Sequence, residues 1–461
     1  MNSPKPRLTQ GPVGRHLVDM TVPVLFGIAT MMAQGLIDTW FIGKVGDAQL
    51  AAFSFGFPIL MIVTSVAIGL GAGTSSVVAR AIGSDDHRRA RRLSTDSLLL
   101  SFLVTAIISA IGILTIGPLF RLLGAPDELM PLIRGFMTIL YLGVPFIVVG
   151  MVGMASMRAT GDTRLPSMLM ILAAVLNVIL DPILIFGVGP IPAMGLNGAA
   201  MAALLARASI FIGTLYLMRY RLDMVSFNKP DPGELRQSWR DILHVGIPAA
   251  GTNIVVPVGA AMVTAMIARF GPDAVAGFGV ASRIESMMLV MYYALSAIIG
   301  PFVGQNFSAG KEERILRALW MCTAFCIGSG LVIAGLLASM SGWLPGLFSD
   351  SESVRQVTTM FLLIVPVSYG TYGMVMIMNA SFNGLGYPLP GVVISVCRIA
   401  VLYIPVALIA MQFFDIAGIF AAYAIANVVS GLGAYVWARR TVRSRCAEEA
   451  VLREAAAEAR P

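Results

Sequence analysis

The sequence predicts an all-α integral membrane protein, with twelve transmembrane helices in two six-helix bundles related by a pseudo-two-fold axis along the membrane normal. Three observations carry this. Of 461 residues, 57% are hydrophobic and only 12% charged, about half the charged share of a soluble domain. Apolar runs of about 20 residues, each able to cross a hydrocarbon core as a helix, recur from Leu17 almost to the C-terminus. The second half of the chain also repeats the first.

The runs fall at 18–42, 50–74, 97–119, 131–157, 166–188, 195–218, 242–268, 276–303, 316–341, 356–380, 390–412 and 416–437. Where two merge, Gly and Pro mark the junction. The polar start MNSPKPRLTQGPVGRHL leads straight into a full-length span, and it reads as a cytoplasmic tail rather than a cleavable signal. Lys and Arg accumulate in cytoplasmic loops, and here they cluster in alternate connections. One side carries Lys5, Arg7 and Arg15, the HRRARR run at 87–92, Arg158 and Arg164, five between Arg219 and Arg240, Lys311, Arg314 and Arg317, and a group from Arg439 onward. The opposite loops hold Lys44, Arg121, Arg134, Arg269 and Arg355. Both termini are therefore expected in the cytoplasm, as an even number of spans requires, in a multi-pass protein of the inner membrane. The net charge of +7 follows topology and does not form a nucleic-acid patch.

The repeat is visible at a shift of 225 residues. Pro23 meets Pro248, Gly46 meets Gly271, Ala51 meets Ala276 and Phe53 meets Phe278. After a two-residue slip, Gly73 and Gly83 meet Gly300 and Gly310. This gives a tail at 1–16, an N-lobe at 17–218 holding helices 1–6, a cytoplasmic loop at 219–241, a C-lobe at 242–438 holding helices 7–12, and a tail at 439–461. Six spans per half give both halves the same orientation, with a cavity expected between them near the midplane. That is transporter architecture. Neither Gly43-Lys44 nor Gly310-Lys311 continues into a nucleotide-binding loop, which leaves an ion gradient as the energy source.

Few residues suggest other chemistry. Cys322 and Cys326 lie one helical turn apart with no further Cys or His nearby, the pattern of helix packing rather than metal binding. His16, His87 and His244 all lie near cytoplasmic ends, and no metalloprotease or serine-hydrolase motif occurs. The chain is expected not to be an enzyme, and no cofactor or bound metal is expected.

Four stretches together resemble the multidrug and toxic compound extrusion (MATE) family of transporters: GLIDTWFIGKVG in the first span, MRATGDTRLP at 157–166, LNVILDPILIFG at 176–187 and GPFVGQNFSAGKEER at 300–314. The resemblance runs over about 15–440. It implies ion-coupled export of amphipathic organic compounds from the cytoplasm.

Membrane carboxylates are expensive and usually functional. Asp38 lies in the first span with Gln34 one turn earlier, and Asp181 lies in the fifth with Asn177 one turn earlier. The resemblance matches Asp38, Asn177 and Asp181 to a cation- or proton-binding site of the amino-terminal lobe. It matches Pro23 to a proline that lets the first helix bend as that site changes state. A buried carboxylate pair can share one proton, or hold Na⁺ with Asn177 adding a neutral oxygen. The sixth-span threonine that often joins this site has no counterpart in GAAMAALLA, and the seventh and tenth spans carry no acid. Protons are therefore favoured over Na⁺, in the branch that includes the DNA-damage-inducible transporters.

A substrate cavity is expected to draw on Arg283 and Glu285, on Ser286, Met287 and Tyr292 in SMMLVMYYAL, and on Tyr369 and Tyr372 in the tenth span. Arg207 and Arg398, in the sixth and eleventh spans, are expected to be structural. Gly69 and Gly73 suggest close helix contact. The expected partners are small amphipathic drugs or metabolites and membrane lipids, with no nucleic acid, and the chain is expected to be a monomer. The alternatives are a flippase of lipid-linked precursors and an exporter of one dedicated metabolite.

Overall fold

The structure, a computed structural model, describes residues 7–226 and 231–458. Expectations that fall on 1–6, 227–230 and 459–461, Lys5 and Lys229 among them, lie outside the described residues. Among the described residues the only β feature is an isolated bridge between Val188 and Ile191. The described residues form fourteen α-helices: α1 (Val13–Val45), α2 (Asp47–Gly83), α3 (His87–Leu122), α4 (Met130–Ala159), α5 (Arg164–Phe186), α6 (Leu196–Tyr220), α7 (Pro232–Ile267), α8 (Pro272–Met288), α9 (Val290–Ser308), α10 (Glu312–Met340), α11 (Glu352–Ile364), α12 (Tyr369–Gly384), α13 (Leu389–Val396) and α14 (Ile404–Glu458).

These helices make twelve crossings. Ten described segments are long and apolar enough to cross a membrane, and α8 with α9, bent by 45° at Leu289, makes an eleventh. One of the ten runs through α13 and α14, from Leu389 to Leu452, over 64 residues. At 1.5 Å per residue it would be about 96 Å long, three times the hydrocarbon core. It breaks at Asp415, whose backbone is non-helical with φ 49°, so it crosses twice.

Helix ends follow local chemistry. Gly46 ends α1 with φ 150°, and its repeat mate Gly271 separates α7 from α8 with φ 101°; both conformations disfavour a side chain. The Asp86 carboxylate caps α3 by accepting from the Arg89 amide at 2.9 Å. Asp162 caps α5 through the amides of Arg164 and Leu165. The repeat extends to packing. Phe53 meets Phe136 edge to face at 5.7 Å, and Phe278 meets Phe361 likewise at 6.0 Å, each ring displaced by 225 positions.

The chain divides into two compact units. One holds Val22–Ala250, and the other holds Leu8–Thr21 together with the chain from Gly251 onward. In the first unit α4 packs against α2, α3 and α6, and α5 packs against α6. The small residues of α2 let α7 approach to backbone contact: a Cβ on Gly73 would fall 2.3 Å from the Ile242 carbonyl oxygen, and one on Gly69 2.6 Å from that of Gly246. The closeness expected from Gly69 and Gly73 is present. In the second unit Gly300 and Gly384 meet in the same way, at 2.4 Å, while α12 packs on α9, α10 and α14.

The sequence boundaries at 17 and 242 differ from these units, for physical reasons. In the second unit, the Arg314 guanidinium donates to the carbonyls of Leu8 (2.9 Å), Gln10 (3.3 Å) and Gly11 (2.7 Å). Lys311 donates to that of Thr9 (2.8 Å) and Asn306 to that of Leu8 (3.2 Å), while Gln305 accepts from the Leu8 amide (3.2 Å). This clamp holds the start of the chain. In the first unit, the N-terminal half of α7 is held by Trp239 donating to the Asp96 carbonyl (3.1 Å) and by Arg89 pairing with Asp241 (3.2 Å). The segment 219–241, read as loop, is also partly helical: α7 starts at Pro232, with Asp231 accepting from the Glu234 amide and proline suited to the first helical position. Beyond 438, the chain continues in α14 to Glu458.

Candidate functional site

In the first unit, α1 and α5 bring the four predicted polar residues together. Gln34 Nε2 donates to Asp38 Oδ2 at 3.2 Å and also to Asn177 Oδ1. Asn177 Nδ2 donates to Asp181 Oδ1 at 3.2 Å. The carboxyl groups of Asp38 and Asp181 face the same polar cluster and lie close enough to interact electrostatically. Asn177 and Asp181 are buried and Asp38 is half-buried. Each amide bridges two partners, so the carboxyls are held in place without being neutralised.

Two oxygens are left over. Asp38 Oδ1 and Asp181 Oδ2 are buried and have no hydrogen-bond partner. Two carboxyls this close need a proton or a cation between them, since two bare carboxylates repel. The neutral oxygen expected to serve Na⁺, Asn177 Oδ1, already accepts from Gln34. Arg207, expected to be structural, is carried by α6 to within electrostatic reach of Asp38. Pro23 sits inside α1, which runs unbroken from Val13 to Val45. Proline there supplies no amide to the helix ladder.

The residues expected to line a cavity separate into groups in the second unit. Arg283, Ser286 and Met287 are exposed, and the Ser286 hydroxyl is turned back onto the Ser282 carbonyl at 2.8 Å. Tyr292 is buried, its hydroxyl 3.1 Å from Ser329 Oγ and 3.4 Å from the Cys326 carbonyl, so it packs α9 onto α10. Glu285, Tyr369 and Tyr372 instead share a polar cluster with Arg398. Glu285 accepts from the Tyr423 hydroxyl at 3.1 Å, and the Arg398 guanidinium lies 4.6 Å over the Tyr372 ring. The sequence reading did not flag Tyr423 and Asn427. They lie one turn apart on α14, the same spacing that flagged Gln34 and Asp38.

Comparisons with known proteins agree with this architecture. The MatE family model matches residues 23–183 and 248–409. These segments start 225 residues apart, at the shift of the internal repeat. The FAD transporter of Shewanella oneidensis is 38% identical over 436 residues, covering 94% of this chain and 96% of that one. The probable multidrug resistance protein YoeA of Bacillus subtilis is 25% identical, covering 93% and 95%. The crystal structure of the Vibrio cholerae MATE transporter VcmN in the bent form superposes with a TM-score of 0.90 at 30% identity, covering 94% of this chain and 98% of that one.

Proposed function

The chain belongs to the MATE family of transporters, and we propose that it is a proton-driven antiporter exporting an anionic aromatic metabolite of the FAD class from the cytoplasm. One observation carries the coupling half of this reading: the Asp38 and Asp181 carboxyls share one polar cluster with Gln34 and Asn177, each with one buried oxygen lacking a donor. A proton from the outer side would bridge them, remove charge and let α1 repack around Pro23. Its release to the cytoplasm would reset the site. Coupling requires the substrate to bind the two protonation states with different affinity, because a ligand shifts an equilibrium only by that difference. The alternation of basic residues supports an inner-membrane protein with both termini cytoplasmic. We infer H⁺ rather than Na⁺ because Asn177 Oδ1 is already engaged.

The substrate half rests on the FAD transporter that is 38% identical over nearly the whole chain. Export of varied amphipathic drugs is the second reading, favoured by the probable multidrug resistance relative at 25% identity. Proteoliposomes with an imposed pH gradient separate the two, with FAD and ethidium offered in turn to wild type, Asp38→Asn and Asp181→Asn. FAD movement that follows the gradient and is lost in both variants supports the proposal. Ethidium movement with the same dependence selects the second reading. Transport in both variants at the wild-type rate overturns the coupling site.

A further inference from the structure

We propose that Arg398 is an anion-recognition residue: the second unit holds a site for a phosphate group of the substrate, beside tyrosine side chains that accommodate an attached planar ring. The proposal rests on the FAD-class reading above and assigns that substrate a place in the chain.

The geometry begins with a buried charge that has no carboxylate within ion-pair distance. Arg398 is only 3% exposed, yet it takes part in none of the ion pairs among the described residues. Its Nη1 donates to Asn427 Oδ1 at 2.9 Å, and Asn427 Nδ2 passes the chain on to Ser368 Oγ at 3.1 Å. Its Nε has no partner, and the fully buried Tyr369, beside Ser368, also has a hydroxyl without one. A buried guanidinium with no carboxylate is costly to keep, and a charge held within a membrane segment is by default a functional one. Here the hydrogen-bonded partner Asn427 is neutral, and the Nε donor is left unused. Arginine is the side chain whose planar fork matches phosphate.

The backbone is also unusual at this point. Arg398 and Tyr403 lie in a π-helical segment, Cys397–Tyr403, between α13 and α14. Such π insertions into α-helices are frequent at functional sites. The segment sets the Tyr403 ring 5.1 Å from that of Tyr423, while Tyr372 takes the guanidinium face. Tyr293 lies within electrostatic reach of Tyr372, Glu285 and Arg398, and it is 40% exposed, so the cluster opens to the surface at that side chain. Glu285 is the acidic group of the cluster. It accepts from Tyr423 and lies outside ion-pair distance of Arg398, leaving the guanidinium to a ligand.

The test measures binding of FAD, FMN and riboflavin to the purified full-length protein in nanodiscs, by quenching of flavin fluorescence. The three share a ring system and differ in phosphate. Wild type is expected to bind FAD and FMN at least about tenfold more tightly than riboflavin, the loss of one charge-assisted contact being worth about that much. Arg398→Gln should bring FAD down to the riboflavin affinity and leave riboflavin unchanged. Arg398→Lys keeps the charge but loses the fork, and should fall between; it decides the matter if the glutamine variant does not fold. An unchanged FAD-to-riboflavin ratio in these variants overturns the site. Naphthyl phosphate, titrated calorimetrically, separates the site from the substrate reading. If wild type binds no flavin but binds naphthyl phosphate, and Arg398→Gln abolishes this, the anion site stands and the FAD reading falls. If naphthyl phosphate also fails to bind, or binds both proteins equally, the site is overturned.

Discussion

Asp181→Asn tests the coupling site most directly, because the substitution keeps the shape and removes only the exchangeable proton. Asp181 is 1% exposed, and its neighbour Asp38 has an oxygen without a donor. An asparagine Nδ2 supplies permanently the donor that the carboxyl pair has only while it holds its proton. Satisfying one buried acceptor contributes about 1 kcal/mol, which raises the melting point of a unit this size by about 2–4 °C. Transport should go the other way. A gradient of about two pH units is worth about 2.7 kcal/mol per proton, or about a hundredfold accumulation of substrate at one proton per cycle. With the membrane potential clamped, wild type should approach that ratio and Asp181→Asn should stay near unity. The expected variant is thus more stable and uncoupled. Accumulation at the wild-type ratio would refute the shared-proton argument. A melting point several degrees lower would show instead that the Asp181 carboxylate is a structural tie.

Four further outcomes are expected. Gly73→Ala places a methyl 2.3 Å from the Ile242 carbonyl oxygen and should cost about 1–3 kcal/mol, read as a lower melting point. Gly279→Ala, with nothing within 4 Å of the new carbon, should leave the melting point unchanged or raise it. Arg314→Gln withdraws charge-assisted bonds worth about 1.5–3 kcal/mol each from the carbonyls of Leu8, Gln10 and Gly11. Amide exchange across 8–21 should then speed up relative to the rest of the second unit, and an unchanged pattern would count against the clamp. Pro23→Ala restores a helical amide, worth up to about 3 kcal/mol in a helix interior. It should raise the melting point and slow gradient-driven transport, and wild-type turnover would remove bending at Pro23 from the mechanism.

Much of this was legible in the sequence, because the signals were local or periodic. The crossings follow from apolar run lengths, and the repeat from pairs such as Gly46 and Gly271. The polar cluster of the first unit follows from the one-turn spacing of Gln34 with Asp38 and of Asn177 with Asp181. What escaped depends on which helices become neighbours. Nothing near Arg207 in the sequence says that α6 will present it toward Asp38. Nothing near Arg398 says that its partner is Asn427, 29 residues on. Tyr292 sits in a Met- and Tyr-rich run and reads as a cavity residue, yet Ser329 and the Cys326 carbonyl make it a packing residue. The boundaries at 17 and 242 assumed that a domain ends where a hydrophobic run begins, whereas side-chain hydrogen bonds to backbone carbonyls decide where Leu8–Thr21 belongs.

The clamp on Leu8–Gly11 has a consequence for how such chains are recognised. GPFVGQNFSAGKEER is among the most distinctive stretches of the sequence. In the structure its Gln305, Asn306, Lys311 and Arg314 grip the Leu8 amide and several backbone carbonyls, groups that every residue type but proline presents alike. The signature is therefore a fastener that is blind to the sequence it holds and indifferent to cargo. A chain can keep it intact while exchanging the side chains around Arg398, so two transporters can look like close kin by their motifs and still carry unlike molecules.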